Sequence, residues 1–151
     1  MGTDAASSGG IRLDIPIRWG DMDALGHVNN TIYFRYCESA RIAYFERLGG
    51  FASTSGTEGI LLVAHNLNFR RPLVYPGNVA IETRTAAISN RSITMSYALR
   101  ADDGVVAADG SSVVVWADYA KGKSAPLPFT LVDAIVELEK NPTLRGERSV
   151  T

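Results

Sequence analysis

One helical pattern stands among strand patterns in this chain, and that arrangement leaves few ways to bury what is apolar. Tyr33, Cys37, Ala40, Tyr44 and Leu48 recur at three- and four-residue steps, as one face of a helix requires. Ile32, Tyr36, Ala43 and Phe45 broaden that face, so the spacing predicts a well-buried helix from about Asn30 to Leu48. Asn29 or Asn30 suits its N-cap, and Gly49-Gly50 a left-handed stop. Before it, Ile11, Leu13, Ile15 and Ile17 alternate with polar residues and Pro16, the period of a half-buried strand; Pro16 suits an edge or a bulge. After a polar connection at 51–59 come four strand-like runs, 60–69, 78–88, 92–99 and 105–116, punctuated by Pro76-Gly77, Ser89-Asn90 and Asp102-Asp103-Gly104. Short turns imply antiparallel pairing. Phe129 to Lys140 reads as a second helix, with Thr130 its cap. One long apolar helix and one sheet bury each other's faces most simply if the sheet curls around the helix, an α+β arrangement. Its free sheet edges invite a second subunit.

At 151 residues the chain suits one domain, expected over residues 11–141, with a disordered Gly/Ser/Ala-rich leader at 1–10 and a frayed tail at 142–151. A formal net charge of -1 provides no basic field for nucleic acid or an anionic membrane surface. No apolar run approaches a membrane span. The N-terminus lacks the basic start and apolar core of a secretory signal, which makes the cytoplasm the default compartment. Cys37 is the only cysteine, so no intrachain disulfide forms, and its place in the helical pattern suits a small buried hydrophobe. His27 and His65 fall in different elements without zinc-type spacing, so no metal is expected. There is no Gly-rich phosphate loop ending in Gly-Lys-Ser/Thr and no Gly-x-Ser-x-Gly elbow.

The chemistry-bearing residues concentrate in one connection, Arg18-Trp19-Gly20-Asp21-Met22-Asp23-Ala24-Leu25-Gly26-His27-Val28-Asn29-Asn30, where a strand hands over to the helix. Such loops collect binding and catalytic groups, and a helix start adds free N–H groups at the positive end of a dipole. Asp23 beside those donors can act as a nucleophile on a carbonyl or as a general base on water; the same position also suits an Asp that only turns the chain. Asp21 is the rival acid, placed for a turn or a pairing with Arg18. His27 suits either a substrate contact or a loop-holding bond. His65 lies in an alternating strand, where core or interface packing is the simpler role. Tyr33, Tyr36, Tyr44 and Phe45 suit an acyl pocket less well than plain core.

Trp19-Gly20-Asp21-Met22-Asp23, then Gly26-His27-Val28-Asn29-Asn30, the Tyr33-containing helix and Phe69-Arg70-Arg71-Pro72-Leu73 together resemble the hotdog-fold acyl-CoA thioesterases of the 4-hydroxybenzoyl-CoA thioesterase-like branch, over roughly Ile11 to Tyr119. The resemblance implies a hotdog fold and hydrolysis of fatty or aromatic acyl-CoA without a bound cofactor. It implies that Asp23 is the catalytic carboxylate and the Asn30 N–H the oxyanion donor, with His27 shaping the approach. It further implies a homodimer or homotetramer with the site at the subunit interface. Coenzyme A phosphates need local cations, for which Arg91 with Ser92 at a turn is the first expectation and Arg70 the second; Tyr33 and His65 complete the candidate substrate-binding set beside their plainer reading as core. A non-catalytic acyl-thioester binding module and an acyl-thioester hydratase, the latter using His27 with Asp23, are the alternatives.

Overall fold

The structure is a computed structural model that describes residues 3–5, 9–50 and 56–146. Along the chain run β1 (Thr3–Ala5), β2 (Ile11–Pro16), α1 (Asn30–Arg47), β3 (Glu58–Phe69), β4 (Asn78–Ile88), β5 (Ser92–Arg100), β6 (Val106–Asp118), β7 (Lys123–Ser124) and α2 (Phe129–Glu139). The strands form one antiparallel sheet in the order β1-β2-β4-β5-β6-β3, with β7 pairing β6. Of the connection expected at 51–59, residues 51–55 lie outside the described residues.

Each element follows from its pattern. Buried residues alternate strictly with exposed ones in β2 and with half-buried ones in β5, as a strand with one face on a core demands. Register fixes which residues share that face: Ile81 lies opposite both Leu13 and Leu99. Helix α1 packs on β2 and β4, and its Tyr33, Tyr36, Cys37, Ala40, Tyr44 and Phe45 are buried. Ile81, Ile93, Met95 and Leu99 on the sheet are wholly buried beneath them, each such aliphatic side chain contributing roughly 1.5–3 kcal/mol. Asn29 is the N-cap, its side chain accepting from Thr31 N–H, and the helix stops before Gly49 and Gly50, whose φ values are +110° and +90°.

Three expectations change. Thr3–Ala5, read as part of a disordered leader, pairs antiparallel with β2, because β2 otherwise presents an unpaired row of N–H and C=O groups on that side. Pro142–Arg145, read as frayed, forms a 3-10 turn that buries Leu144. Thr130 does not cap α2: the N-cap is Pro128, and among the described residues no side chain caps that end. Among the described residues no helix is long and apolar enough to cross a membrane.

Candidate active site

The connection between β2 and α1 is a network of short-range bonds. A 3-10 turn at Trp19–Asp21 opens it. Met22 and Val28 then form an antiparallel bridge, closed by a tight turn in which Asp23 N–H donates to His27 C=O and Gly26 N–H to Asp23 C=O, both at 3.0 Å. Gly26 adopts φ +84° at the bend, a conformation costly for a residue with a Cβ. Val28 N–H donates to Leu73 C=O at 2.9 Å, and Asn29 N–H to Asp21 C=O at 3.0 Å, so the turn is fastened to both neighbouring segments.

The two acids part company here. Asp21 Oδ2 accepts from Arg18 N–H at 2.9 Å and from the Tyr36 hydroxyl at 2.7 Å. It is a structural acceptor tying the turn to α1, and burial, then that bond, push the Tyr36 phenol far up. The expected pairing with Arg18 is made, but by its backbone. Asp23 is half-buried and faces only N–H donors: Leu25 N–H reaches Oδ1 at 2.8 Å and Asn29 Nδ2 reaches Oδ2 at 3.0 Å. Among the described residues it forms no ion pair. A carboxylate has about four lone-pair positions, so two remain open.

Asn30 is the first residue of α1. The N–H groups of Thr31 and Ile32 are taken by the Asn29 side chain and carbonyl, both at 2.9 Å; that of Asn30 has no acceptor among the described residues. The residue lines a groove of about 300 Å³ with Val28, Tyr33, Phe69, Arg70, Arg71 and Pro72. Tyr33 builds the groove wall and anchors its far side: its hydroxyl donates to Arg71 C=O at 3.3 Å and accepts from Leu73 N–H at 3.0 Å, and its ring meets Phe69 edge-on at 5.1 Å. Burial raises its phenol pKa.

The other expected residues are dispersed. His27 is exposed, and only its backbone carbonyl takes part in the turn. Arg70 and Arg71 both line the groove, but they pair with Asp109 at 2.8 Å and Asp103 at 2.7 Å. His65 is away from it: its ring stacks on Tyr97 at 5.0 Å and meets Phe34 edge-on at 5.0 Å. Neither ring nitrogen finds a partner among the described residues. Arg91 and Ser92 sit at the β4–β5 turn, the opposite end of the sheet from Asp23. Strand β4 puts roughly 30 Å between the two ends, so within one chain they do not reach Asp23. Arg91 Nη1 instead donates to Ser124 C=O at 2.7 Å, and Ser92 Oγ bonds Ser89 Oγ at 2.6 Å. The link between Asn29 and Asp23 was not anticipated; an asparagine among possible caps six residues after an acid was its only signal. Among the described residues no group of three or more His, Cys, Asp or Glu could hold a metal ion.

Comparison with known proteins shows the chain's family. The family model of the thioesterase-like superfamily matches residues 17–136. A thioesterase from Thermus thermophilus, solved with coenzyme A and zinc, is 31% identical and superposes with a TM-score of 0.79, covering 91% of this chain and 99% of that one. The PA2801 protein of Pseudomonas aeruginosa is 34% identical with a TM-score of 0.77, over 82% of this chain and 96% of that one. Among curated proteins, the long-chain acyl-CoA thioesterase FadM of Escherichia coli is 26% identical over 132 residues, 86% of this chain and 100% of its own length. The matched region begins just after β2 and runs through the acid, the helix start and strands β3 to β7, and on that evidence the chain belongs to the thioesterase-like superfamily.

Proposed function

We propose that this protein hydrolyses acyl-CoA to the free acid and coenzyme A, with Asp23 as the catalytic carboxylate and the Asn30 N–H as oxyanion donor. The single observation that carries the reading is the adjacency of a carboxylate with open lone pairs to an unpartnered helix-start N–H, joined through one residue, Asn29. The thioester carbonyl sits with its oxygen toward Asn30. Asp23 either attacks the carbonyl carbon, giving an anhydride that water then opens, or takes a proton from water that attacks directly. In both courses the C–S bond breaks, the sulfur leaves as thiolate and takes up a proton, and water supplies the new oxygen. A preorganised donor of this kind is worth ~10²–10³ in kcat, and general-base assistance ~10²–10⁴.

A fatty or aromatic acyl group is the substrate class, its acyl end lying against Tyr33 and Phe69. Arg71 and Arg70 at the groove are the cations nearest to a bound phosphate in one chain. Arg91 reaches such a site only from a neighbouring copy, which accords with a homodimer or homotetramer. Several features support such an assembly: β3 is an edge strand of the sheet, and Leu61, Leu62 and Val63 on it are exposed. At the rim of the site Trp19 and Leu25 are 77% and 83% exposed, apolar surface of the kind a partner covers. In that assembly α1 is the central helix of a hotdog arrangement, and the cytoplasm is the compartment. A binding module without catalysis calls for an Asp23 locked in a buried salt bridge; its half-exposed carboxylate, held only by N–H groups, favours the enzyme.

The test is thiol release from aromatic, short-chain and long-chain acyl-CoA, run beside Asp23→Asn. Turnover of at least one class that falls by ~10² or more in the variant supports the reading. No release from any class, or full activity in a folded Asp23→Asn protein, overturns it.

A further inference from the structure

We infer that Asn29 is a positioning residue for the reaction: it couples the orientation of Asp23 to the start of α1, so that acid and oxyanion donor are held as one unit. The inference rests on the hydrolytic reading above.

Every polar group of Asn29 is engaged. Its N–H donates to Asp21 C=O at 3.0 Å and its carbonyl accepts from Ile32 N–H at 2.9 Å. Its side-chain Oδ1 accepts from Thr31 N–H at 2.9 Å and from the Thr31 hydroxyl at 2.7 Å. Its Nδ2 donates to Asp23 Oδ2 at 3.0 Å. The backbone is extended, φ −60° and ψ 140°, as an N-cap requires. One planar amide therefore caps the helix with one end and grips the acid with the other. Because the amide is rigid, fixing Oδ1 on Thr31 fixes where Nδ2 points, and so where Oδ2 of Asp23 rests. The next residue is Asn30, so a single peptide link separates this anchor from the N–H aimed at the substrate carbonyl.

That double duty explains the residue type. Asn, Asp, Ser and Thr all cap helices well. Asp offers no hydrogen to Asp23 and brings a like charge. Ser and Thr place one hydroxyl too close to the backbone to span both partners. Only Asn combines an acceptor and a donor at this reach. The second donor on Asp23, Leu25 N–H, belongs to an exposed turn and orients only the other oxygen. Without Nδ2 the carboxyl can rotate about its side-chain bonds, and catalysis is sensitive to displacements of this order.

The experiment uses the full chain and four variants: Asn29→Ser, Asn29→Asp, Asp23→Asn, and Asp23→Asn combined with Asn29→Ser. Urea midpoints report the cap, and thiol-release kinetics report the acid. Asn29→Ser and Asn29→Asp retain a cap acceptor, so both stay folded and their urea midpoints fall only by what the lost bond to Asp23 contributed, more in Asn29→Asp, where two carboxylates face each other. The expected kinetic result is a kcat about 10- to 100-fold lower in Asn29→Ser, lower still in Asn29→Asp, with KM within about twofold of wild type. In the double variant the Asn29 change adds nothing to the loss from Asp23→Asn, because the two residues act through one contact. A cap without a kinetic role predicts wild-type kcat in both Asn29 variants, and that result overturns the inference, as does a full additional loss in the double variant. Full activity of Asp23→Asn would instead remove the hydrolytic reading on which the inference stands, so the two failures are told apart.

Discussion

Two acids lie two residues apart, and the structure predicts that they dissociate: stability follows Asp21, rate follows Asp23. Asp21→Asn keeps the shape but replaces two hydrogen bonds to a carboxylate, at 2.9 and 2.7 Å, with neutral ones. Hydrogen bonds to charged groups contribute about 1.5–3 kcal/mol each and neutral ones about 1. Both bonds fall on one oxygen, Oδ2, so the carboxamide oxygen placed there still accepts from Arg18 N–H and from the Tyr36 hydroxyl, but as a neutral acceptor. The expected loss is about 1–3 kcal/mol in stability. For a chain of this length that is a fall in Tm of roughly 2–4 °C per kcal/mol. The backbone carbonyl of Asp21, which holds Asn29 N–H, survives the change, so kcat at a temperature well below Tm stays within about threefold, a barrier change well under 1 kcal/mol. Asp23→Asn has the opposite signature. Its oxygen keeps Leu25 N–H, but its N–H₂ then faces Asn29 Nδ2, a second donor, so that one bond is lost, at about 1.5 kcal/mol in this half-exposed place. Yet kcat falls by ~10² or more because a carboxamide neither attacks nor takes a proton at neutral pH. Urea unfolding followed by tryptophan fluorescence and a thiol-release assay on the same samples read both quantities. An Asp21→Asn protein that is folded but inactive, beside an active Asp23→Asn, would refute the assignment.

Other expected outcomes follow from the core. Burial, then the nearby Arg41 guanidinium, hold the His65 imidazole below its ordinary range. The unfolded chain therefore takes up a proton near pH 6.5 that the folded chain accepts only at lower pH, and stability falls as pH drops below that value. His65→Phe removes this slope in urea midpoints measured from pH 7 to 5 and raises the midpoint at the acid end, since neither ring nitrogen has a partner among the described residues. Cys37 is wholly buried and its thiol is pushed up to about 12, so iodoacetamide at pH 8 leaves the native protein unlabelled by mass spectrometry and turnover unchanged. The Tyr44 hydroxyl meets Glu139 Oε1 at 2.5 Å and Thr85 Oγ1 at 2.7 Å in the core. Tyr44→Phe leaves the Glu139 carboxyl with Thr85 N–H at 2.7 Å and lowers stability by about 1.5–3 kcal/mol, seen as a lower urea midpoint at constant slope.

What was legible in the sequence and what was not divides along the range of the interactions. Asn78–Ile88, α1 and its glycine stop were readable because period and punctuation are properties of neighbouring residues. The pairing of Thr3–Ala5 with β2 was not, because a short polar segment becomes a strand only when an open edge lies beside it. At the site, the crowding of Asp21, Asp23, His27, Asn29 and Asn30 into one connection was visible, but its division of labour was not. Asp21 is claimed by Tyr36, fifteen residues away on a helix face that the periodicity read only as core; a hydroxyl on that face is both apolar wall and donor, and spacing reports only the wall. Arg91 shows the converse. Its turn was correctly located, yet an antiparallel strand of eleven residues carries that turn to the far end of the sheet, so a cation near in argument is remote in one chain. Asn29 is the instructive middle case. Its capping role was written in its position before the helix, whereas its grip on Asp23 depends on a hairpin that folds residues 23 and 29 onto each other. That hairpin is closed by Gly26 at φ +84°, so a Gly26→Ala change, which touches neither acid nor cap, is expected to lower kcat along with stability by opening the contact between them.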